Sequence, residues 1–479
     1  MRILYACLSL GLPLAAAAQP VAAPAPPSVL SAPTRLDPAW QQRSREMFKT
    51  AIEIPTVAGR GEMPRLAEYL AGQFRAAGWR DQDIEIIPHE GMEGDSTVTM
   101  IVRWPAARAA RQPMLLLAHM DVVEARREDW QQDPFEFIER DGYFYGRGTL
   151  DNKQGVIGIA AALIKLRQSG FRPNRDLIAV FTGDEETAGN GATLAAERLK
   201  NAELALNFDV GGGSYTRDGR PLGYGLQTAE KTYRTYAFTA TNRGGHSSRP
   251  RPDNAIYDLA DGLKRLQTHR FEPMLNDTTR AYFTERAKQE GSNALGEAMR
   301  RWLANPEDGA AADLIEASEL EVGMTRTRCV ATRLDGGHAD NALPQRATAT
   351  VNCRIMPGID PASVAAELQQ VAGIQAKVTA TDEPPWSAPS PLRSDVLNAY
   401  RAAVQAIHGP RMVIVPQMST GATDGLFFRA AGVPVYGVSG EWIISPDDER
   451  AHGLDERIPV RAFYDNIVHV ETMIRRLAR

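Results

Sequence analysis

The chain has 479 residues, more than one hydrophobic core usually serves, so two domains are expected. A hydrophobic content of 43% and a charged content of 24% are those of a soluble globular protein and exclude a disordered or membrane-bundle composition. The formal net charge is −5, and the Arg pairs near Arg126 and Arg300 are short and sit beside acids, so no nucleic-acid surface is predicted.

Arg2, the apolar stretch 3–14 and the small residues Ala16-Ala17-Ala18 predict a signal peptide over 1–18, cleaved before Gln19. The protein is therefore expected to be exported, either periplasmic or secreted. The apolar run is too short for a membrane span, and no later stretch approaches one. Leu4-Tyr5-Ala6-Cys7 loosely mimics a lipid-attachment box but comes too early in the apolar run. Residues 19–34 are rich in Pro and Ala and predict an extended linker without a core of its own.

From Leu36 to Ala229, strand-like and helical patterns alternate, as in an α/β protein with a mainly parallel sheet. Runs 114–118, 177–182 and 204–208 are short, continuous and apolar, the pattern of strands buried on both faces. Residues 155–166 carry the wide apolar stripe of a core helix. The pattern loosens after Glu230. Residues 233–241 and 346–354 predict strands, 253–266 an amphipathic helix, and 270–321 a polar helical stretch. Beyond Pro384-Pro385 come a helix at 394–407, a buried strand at 433–438 and a closing helix at 461–477. The fold class expected is α/β, with a mainly parallel-sheet catalytic domain (35–229 and 383–479) and an inserted α+β lid or dimerisation domain (230–382).

Two cysteines remain after signal removal, Cys329 and Cys353. Antiparallel pairing of their strands about Asn341 brings them together. Export permits a disulfide, and two buried thiols are the other reading.

One histidine and several acids follow the apolar strands or a turn nearby. His119 follows 114–118, and Asp121 is placed to accept a hydrogen bond from its second ring nitrogen and so fix its tautomer. The bland alternative is a half-buried His with a nearby Asp. Asp151 ends a Gly-rich turn before the helix at 155, where an N-cap is the simpler reading. Gly183-Asp184-Glu185-Glu186 follows 177–182, and consecutive acids there are costly unless a cation or a catalytic task needs them. Asp209 follows 204–208, where a turn residue is the simpler reading. In open α/β sheets, sites form at the carboxyl ends of strands. Convergence there of an imidazole and several carboxylates suits zinc or a similar ion, and the number of acids suits two ions sharing a carboxylate.

These stretches resemble the M20 metallopeptidases, a family of co-catalytic zinc carboxypeptidases, dipeptidases, deacylases and deacetylases. The likeness rests on Leu117-Ala118-His119-Met120-Asp121-Val122-Val123, Gly146-Arg147-Gly148 through Asp151-Asn152-Lys153, and Gly183-Asp184-Glu185-Glu186. It continues in Gly244-Gly245-His246-Ser247-Ser248, Asn341-Ala342-Leu343-Pro344 and Ala451-His452-Gly453. The resemblance implies two Zn2+ per subunit, with Co2+ or Mn2+ as substitutes. Asp151 would bridge the ions, His119 and Asp209 would serve one, and Glu186 and His452 the other. Glu185 would be the general base, Asp121 would orient His119, and His246 would donate to the oxyanion, in many members across a subunit boundary. Arg354 is the candidate for a substrate carboxylate, since guanidinium pairs two-pronged with it. Asn341 is a further substrate-binding candidate, and so are Gly421 and Thr423 in Gly421-Ala422-Thr423-Asp424-Gly425, a segment that otherwise reads as a turn.

The function expected is hydrolysis of an amide bond in a small peptide or N-acyl amino acid, by a carboxypeptidase or dipeptidase. The alternatives are a deacylase of the acetylornithine or succinyl-diaminopimelate type, which export disfavours, and a non-catalytic zinc-binding relative, which the presence of Glu185 disfavours. A two-metal phosphoesterase lacks its basic phosphate cradle. A homodimer through the inserted domain is a further reading, and the stretch 270–321 makes that domain longer than is common in the family it resembles.

Overall fold

The computed structural model describes residues 28–383 and 385–479, so the signal peptide expected at 1–18 lies outside the described residues. The fold is mixed α/β. An eight-stranded sheet has the order Ile84–Glu90, Ser96–Trp104, Leu177–Thr182, Met114–His119, Leu204–Tyr215, Val435–Ile444, Pro221–Glu230, Ile414–Ser419. Its central pairings are parallel and the first two pairings at one edge are antiparallel.

The unbroken apolarity of Met114–His119 follows from its two buried faces. Met114, Leu116 and Ala118 join the core built by helices Pro38–Ile52, Lys153–Gln168 and Val460–Leu477. Leu115 and Leu117 meet helices Asn190–Leu199 and Gly425–Ala430 on the other side. Helix Lys153–Gln168 is buried almost throughout. A side chain at Gly155 would lie 2.8 Å from the Phe208 carbonyl, so glycine permits this helix to start close against the strand that carries Asp209.

One strand differs from expectation. Residues 204–208 do not end a strand, because Leu204–Tyr215 runs on through three glycines. Gly437 pairs with Asn207 and Ser439 with Gly211, so three residues face one across this step. Asp209 therefore sits in a bulge, a device that redirects a side chain out of a ladder, rather than in a turn after the strand.

Residues 232–380 supply a second, four-stranded antiparallel sheet in the order Arg328–Gly336, Arg346–Ile355, Thr232–Thr241, Ala376–Ala380. Helices Ala255–Thr268 and Pro361–Ala372 cover one face. Cys329 pairs with Cys353 in register, and the two form a disulfide. The stretch 270–321 forms three helices, Asp277–Glu290, Ala294–Ala304 and Gly309–Glu316, each with an Asn or Asp side chain at its N-cap. Phe283, Met299, Trp302 and Ile315 pack with Ala229 and Met418, so these helices rest on the far edge of the large sheet rather than on the small one. The described end of the expected linker, from residue 28 on, departs from its reading. Ser28–Ser31 forms a helical turn, Val29 is buried in the main core, and its carbonyl accepts from Arg461 Nη1 at 3.0 Å.

Candidate metal centre and active site

Strand Met114–His119 delivers His119 to the carboxyl edge of the large sheet, almost fully buried. Its Nδ1 lies 3.0 Å from the backbone carbonyl of Asp121 and 3.4 Å from that residue's Oδ1. The closer acceptor is the carbonyl rather than the carboxylate expected from sequence. Either acceptor puts a proton on Nδ1 and turns Nε2 toward the site. Nε2 is 2.9 Å from Asp151 Oδ1 and 3.2 Å from Asp209 Oδ1.

Asp151 reaches a second imidazole with its other oxygen. Its Oδ2 lies 3.2 Å from His452 Nε2, which is 2.9 Å from Glu186 Oε2. Asp151 thus stands between two histidines 333 positions apart in the chain (119 and 452). Asp121 faces away from the cluster: its Oδ2 accepts from the Glu186 backbone N–H at 2.9 Å, while its buried Oδ1 has no hydrogen bond. Asn152 donates from Nδ2 to Asp209 Oδ1 and to the Phe208 carbonyl, fixing the bulge. Glu185 is half-buried and, among the described residues, its carboxylate carries no hydrogen bond or ion pair.

The cluster falls into three groups whose donor atoms lie within 4.8 Å of one another: His119 with Glu185 and Glu186, His119 with Asp151 and Asp209, and Asp151 with Glu186 and His452. Among the described residues no Lys or Arg ion pair reaches any of these acids or Asp121. The electrostatics record the imbalance. Burial alone would lower the His119 ring, yet Asp209, Asp121 and Asp151 hold it well above the usual imidazole range. Hydrogen bonds to Asp151 and Glu186 push His452 up to about 10. Burial raises Glu185 well above an ordinary carboxylate, with the charges of Asp209, Asp424 and Asp121 adding to the rise. Hydrogen bonds from both imidazoles outweigh burial at Asp151 and hold it below the carboxylate range. Five acids with only two histidines to oppose them form a site that a cation would complete. The donor set, imidazole nitrogen with carboxylate oxygen and no sulfur, fits zinc or another borderline ion.

The remaining candidates do not join this cluster. His246 is exposed in a two-residue ladder with Ala342, and its Nδ1 accepts from Ser248 N–H at 3.1 Å. Asn341 is its neighbour, since the Asn341 carbonyl accepts from Ser247 N–H at 3.0 Å. Arg354 Nη1 donates to the Thr420 carbonyl at 3.1 Å, and the guanidinium lies 4.7 Å above the Tyr233 ring. Two candidates already have partners within the fold. The Gly421 N–H is taken by Ser419 Oγ at 3.0 Å, so it is not an open donor. The Thr423 hydroxyl is buried, donates to Glu230 Oε2 at 3.0 Å and accepts from Gly425 N–H, so it serves the turn and not a ligand.

Sequence reasoning passed over Asp424, Glu441 and Glu456. Asp424 is buried behind Glu185, accepts from Thr182 Oγ1 at 2.5 Å, and is pushed by burial up to about 8. Glu441 shares a cavity with Asp209 and is likewise pushed up to about 8 by burial. Glu456 accepts from three backbone N–H groups of the Asp151 loop. A single acid in a strand or loop has no pattern of its own, and its burial is the property that matters. The one available signal was the position of Glu456, four residues after His452.

The sequence pattern of peptidase family M20/M25/M40 matches residues 115–476. The chain is 28% identical over 447 residues to the N-fatty-acyl-amino acid synthase/hydrolase PM20D1 of Homo sapiens, covering 90% of this chain and 87% of that one. Its Xenopus tropicalis counterpart is 30% identical over 440 residues, covering 87% and 82%. Aminoacylase-1 of Homo sapiens is 26% identical over 430 residues, covering 88% and 93%. Among solved structures, the fold matches the M20 family metallo-carboxypeptidase Sso-CP2 from Sulfolobus solfataricus with a TM-score of 0.66 and 19% identity, covering 92% of this chain and 99% of that one. The di-peptidase Dug1p from Saccharomyces cerevisiae matches with a TM-score of 0.62 and 14% identity, covering 91% and 96%.

Proposed function

The chain belongs to peptidase family M20/M25/M40 and is a hydrolase of amide bonds, and on that premise we propose that it is an exported dizinc enzyme acting on short peptides or N-acyl amino acids. The bond cut is the one whose nitrogen belongs to an amino acid with a free carboxylate. The single observation that carries this reading is Asp151, whose two oxygens face His119 and His452 at 2.9 and 3.2 Å. In the proposed arrangement Asp151 would serve both ions, His119 and Asp209 would hold one, and Glu186 and His452 would hold the other. Co2+ or Mn2+ would substitute.

Bound there, the ions supply an acidified water and polarise the substrate carbonyl. Glu185 is the group left to move the proton. Among the described residues its carboxylate is unpaired, whereas Glu186 is engaged with His452. Glu185 takes the proton of the attacking water and delivers it to the leaving amine nitrogen. Asp121 and its backbone carbonyl keep the His119 Nδ1 proton in place. His246 lies outside the cluster, so its proposed role as an oxyanion donor requires closure of the segment 230–382 or a second subunit. Arg354 is assigned to the substrate carboxylate.

A reading in which the acyl group is a long apolar chain has its own support. The relatives named above include an N-fatty-acyl-amino acid synthase/hydrolase, and the cavity of about 550 Å³ beside Asp209 is also lined by Leu320, Val322, Met324 and Met418. Export is supported by the Cys329–Cys353 disulfide, which persists in oxidising compartments. A homodimer through 230–382 is supported by the uncovered edge strand Arg328–Gly336, where Val330 and Leu334 are 60% and 70% exposed.

Chelation tests the core of the proposal. Phenanthroline or EDTA should abolish hydrolysis of N-acyl amino acids and dipeptides, and zinc or cobalt should restore it. Full turnover in excess chelator would remove the metal assignment.

A further inference from the structure

Two loops must meet for Asp151 to stand between two imidazoles, and neither is regular structure. One carries Asp151 ahead of helix Lys153–Gln168. The other carries His452, which is 54% exposed and has a φ of 60°, with a second non-glycine residue at positive φ, Asp455, three positions on. Left-handed backbone at non-glycine residues is strained and persists only where surroundings hold it.

A single buried ion pair contacts both loops. Glu456 Oε1 accepts from the N–H groups of Gly148, Leu150 and Asp151 at 3.1, 2.7 and 3.0 Å. Its Oε2 meets Arg147 Nη1 at 2.5 Å. Arg147 Nη2 then donates to the carbonyl of Gly453, the residue after His452, at 3.1 Å. The two side chains are 3% and 0% exposed. Three N–H groups aimed at one oxygen form an anion-holding nest that fixes the path of the Asp151 loop. The guanidinium spans from that nest to the His452 turn.

Stability alone is a weak reason for such a pair. Burying both charges costs about as much as their attraction returns, and apolar replacements are often neutral. Geometry is the better reason, because ligand atoms must be held to within about 0.5 Å. We infer that Arg147 and Glu456 are positioning residues that set the separation of Asp151 and His452, and thereby the capacity of the site to hold two ions. The inference rests on the dimetal reading above and adds two residues that touch neither ion nor substrate.

Glu456→Gln keeps the shape and the three accepted N–H bonds but turns an amide N–H toward the Arg147 donors. Arg147→Lys keeps the charge, yet one ammonium cannot serve Glu456 and the Gly453 carbonyl with the fork geometry of a guanidinium. The metal-free forms of wild type and both variants should be titrated with Co2+. Visible absorption and chelator competition report affinity, and circular dichroism and thermal midpoints are recorded alongside. Wild type should take up two ions. Each variant should keep its dichroism while binding at least one ion about 10- to 100-fold more weakly. At saturating Co2+, kcat should recover with KM unchanged. Unaltered affinity, or a lowered midpoint without an affinity change, would overturn the positioning role. So would loss of the fold in both variants, since the pair would then serve folding alone. If wild type itself fails to bind two ions, the dimetal reading falls first. If wild type binds two and the variants match it, only the present inference falls.

Discussion

Glu185 and Glu186 are adjacent in sequence and do different things because their surroundings differ. Glu186 is engaged by His452, and its backbone N–H is fixed by Asp121. Glu185 has the cluster's charges around it but, among the described residues, no partner. Replacing Glu185 by Ala should leave the metal content at the wild-type value while kcat falls by about 10²–10⁴-fold. Near-normal turnover would mean that another group moves the proton. Two histidines without any role in the site make a separate prediction. His408 lies between the hydroxyls of Tyr215 and Tyr224, at 2.7 and 2.8 Å, and His469 is fully buried against the Val438 carbonyl. Burial lowers both to about 3. They stay neutral in the folded chain, whereas an unfolded chain protonates them below about pH 6.5. Their contribution to stability is therefore complete above pH 6.5 and is lost as pH falls from there toward 3. The thermal midpoint should drop across that window, and His408→Gln should flatten the drop. An unchanged slope would mean that other groups govern acid unfolding.

At the level of elements, the legible parts were those whose pattern has one explanation. Three continuous apolar runs could only be strands covered on both faces, and they carry the site's edge. The register of Arg328–Gly336 against Arg346–Ile355 could be read from the midpoint between two cysteines, whereas the choice between thiols and a disulfide is made by the structure. Elements failed where a competing feature was tertiary. The strand Leu204–Tyr215 read as ending at 208 because three glycines mimic a turn. The pairing with Val435–Ile444, 220 residues further on, keeps it a strand and places Asp209 in the bulge. The stretch 270–321 read as polar and helical, although Ala294–Ala304 and Gly309–Glu316 carry apolar residues such as Met299, Trp302 and Ile315. Their burial depends on a partner surface, Ala229 and Met418, that no local window contains. Glu456 was invisible for the same reason: its importance lies in the backbone it meets 305 residues earlier, at Asp151.

The molecule as a whole places its basic and acidic chemistry on different parts of the chain. The acids lie at the edge of the large sheet, whereas Arg354 comes from the small one and touches the large part through the Thr420 carbonyl. A cavity of about 580 Å³ is lined by Arg354, Arg328 and Lys231, and the cavity of about 550 Å³ beside Asp209 shares Thr420 and Val322 with it. A substrate with its amide at the acid–histidine cluster can therefore extend toward Arg354 without leaving a lined surface. Among the described residues Arg354 has no acidic partner, so an incoming carboxylate meets an uncompensated guanidinium. A hydrogen-bonded charge of this kind contributes about 1.5–3 kcal/mol. Capping the substrate's carboxylate as an amide should accordingly lower kcat/KM by about 10- to 100-fold. Arg354→Lys should lose part of the preference by giving up the fork, and Arg354→Ala should lose nearly all of it. The measurement is the ratio of kcat/KM for matched acid and amide substrates across the three proteins. A ratio near one in wild type would detach Arg354 from the substrate and leave the guanidinium as a link between the two parts of the fold.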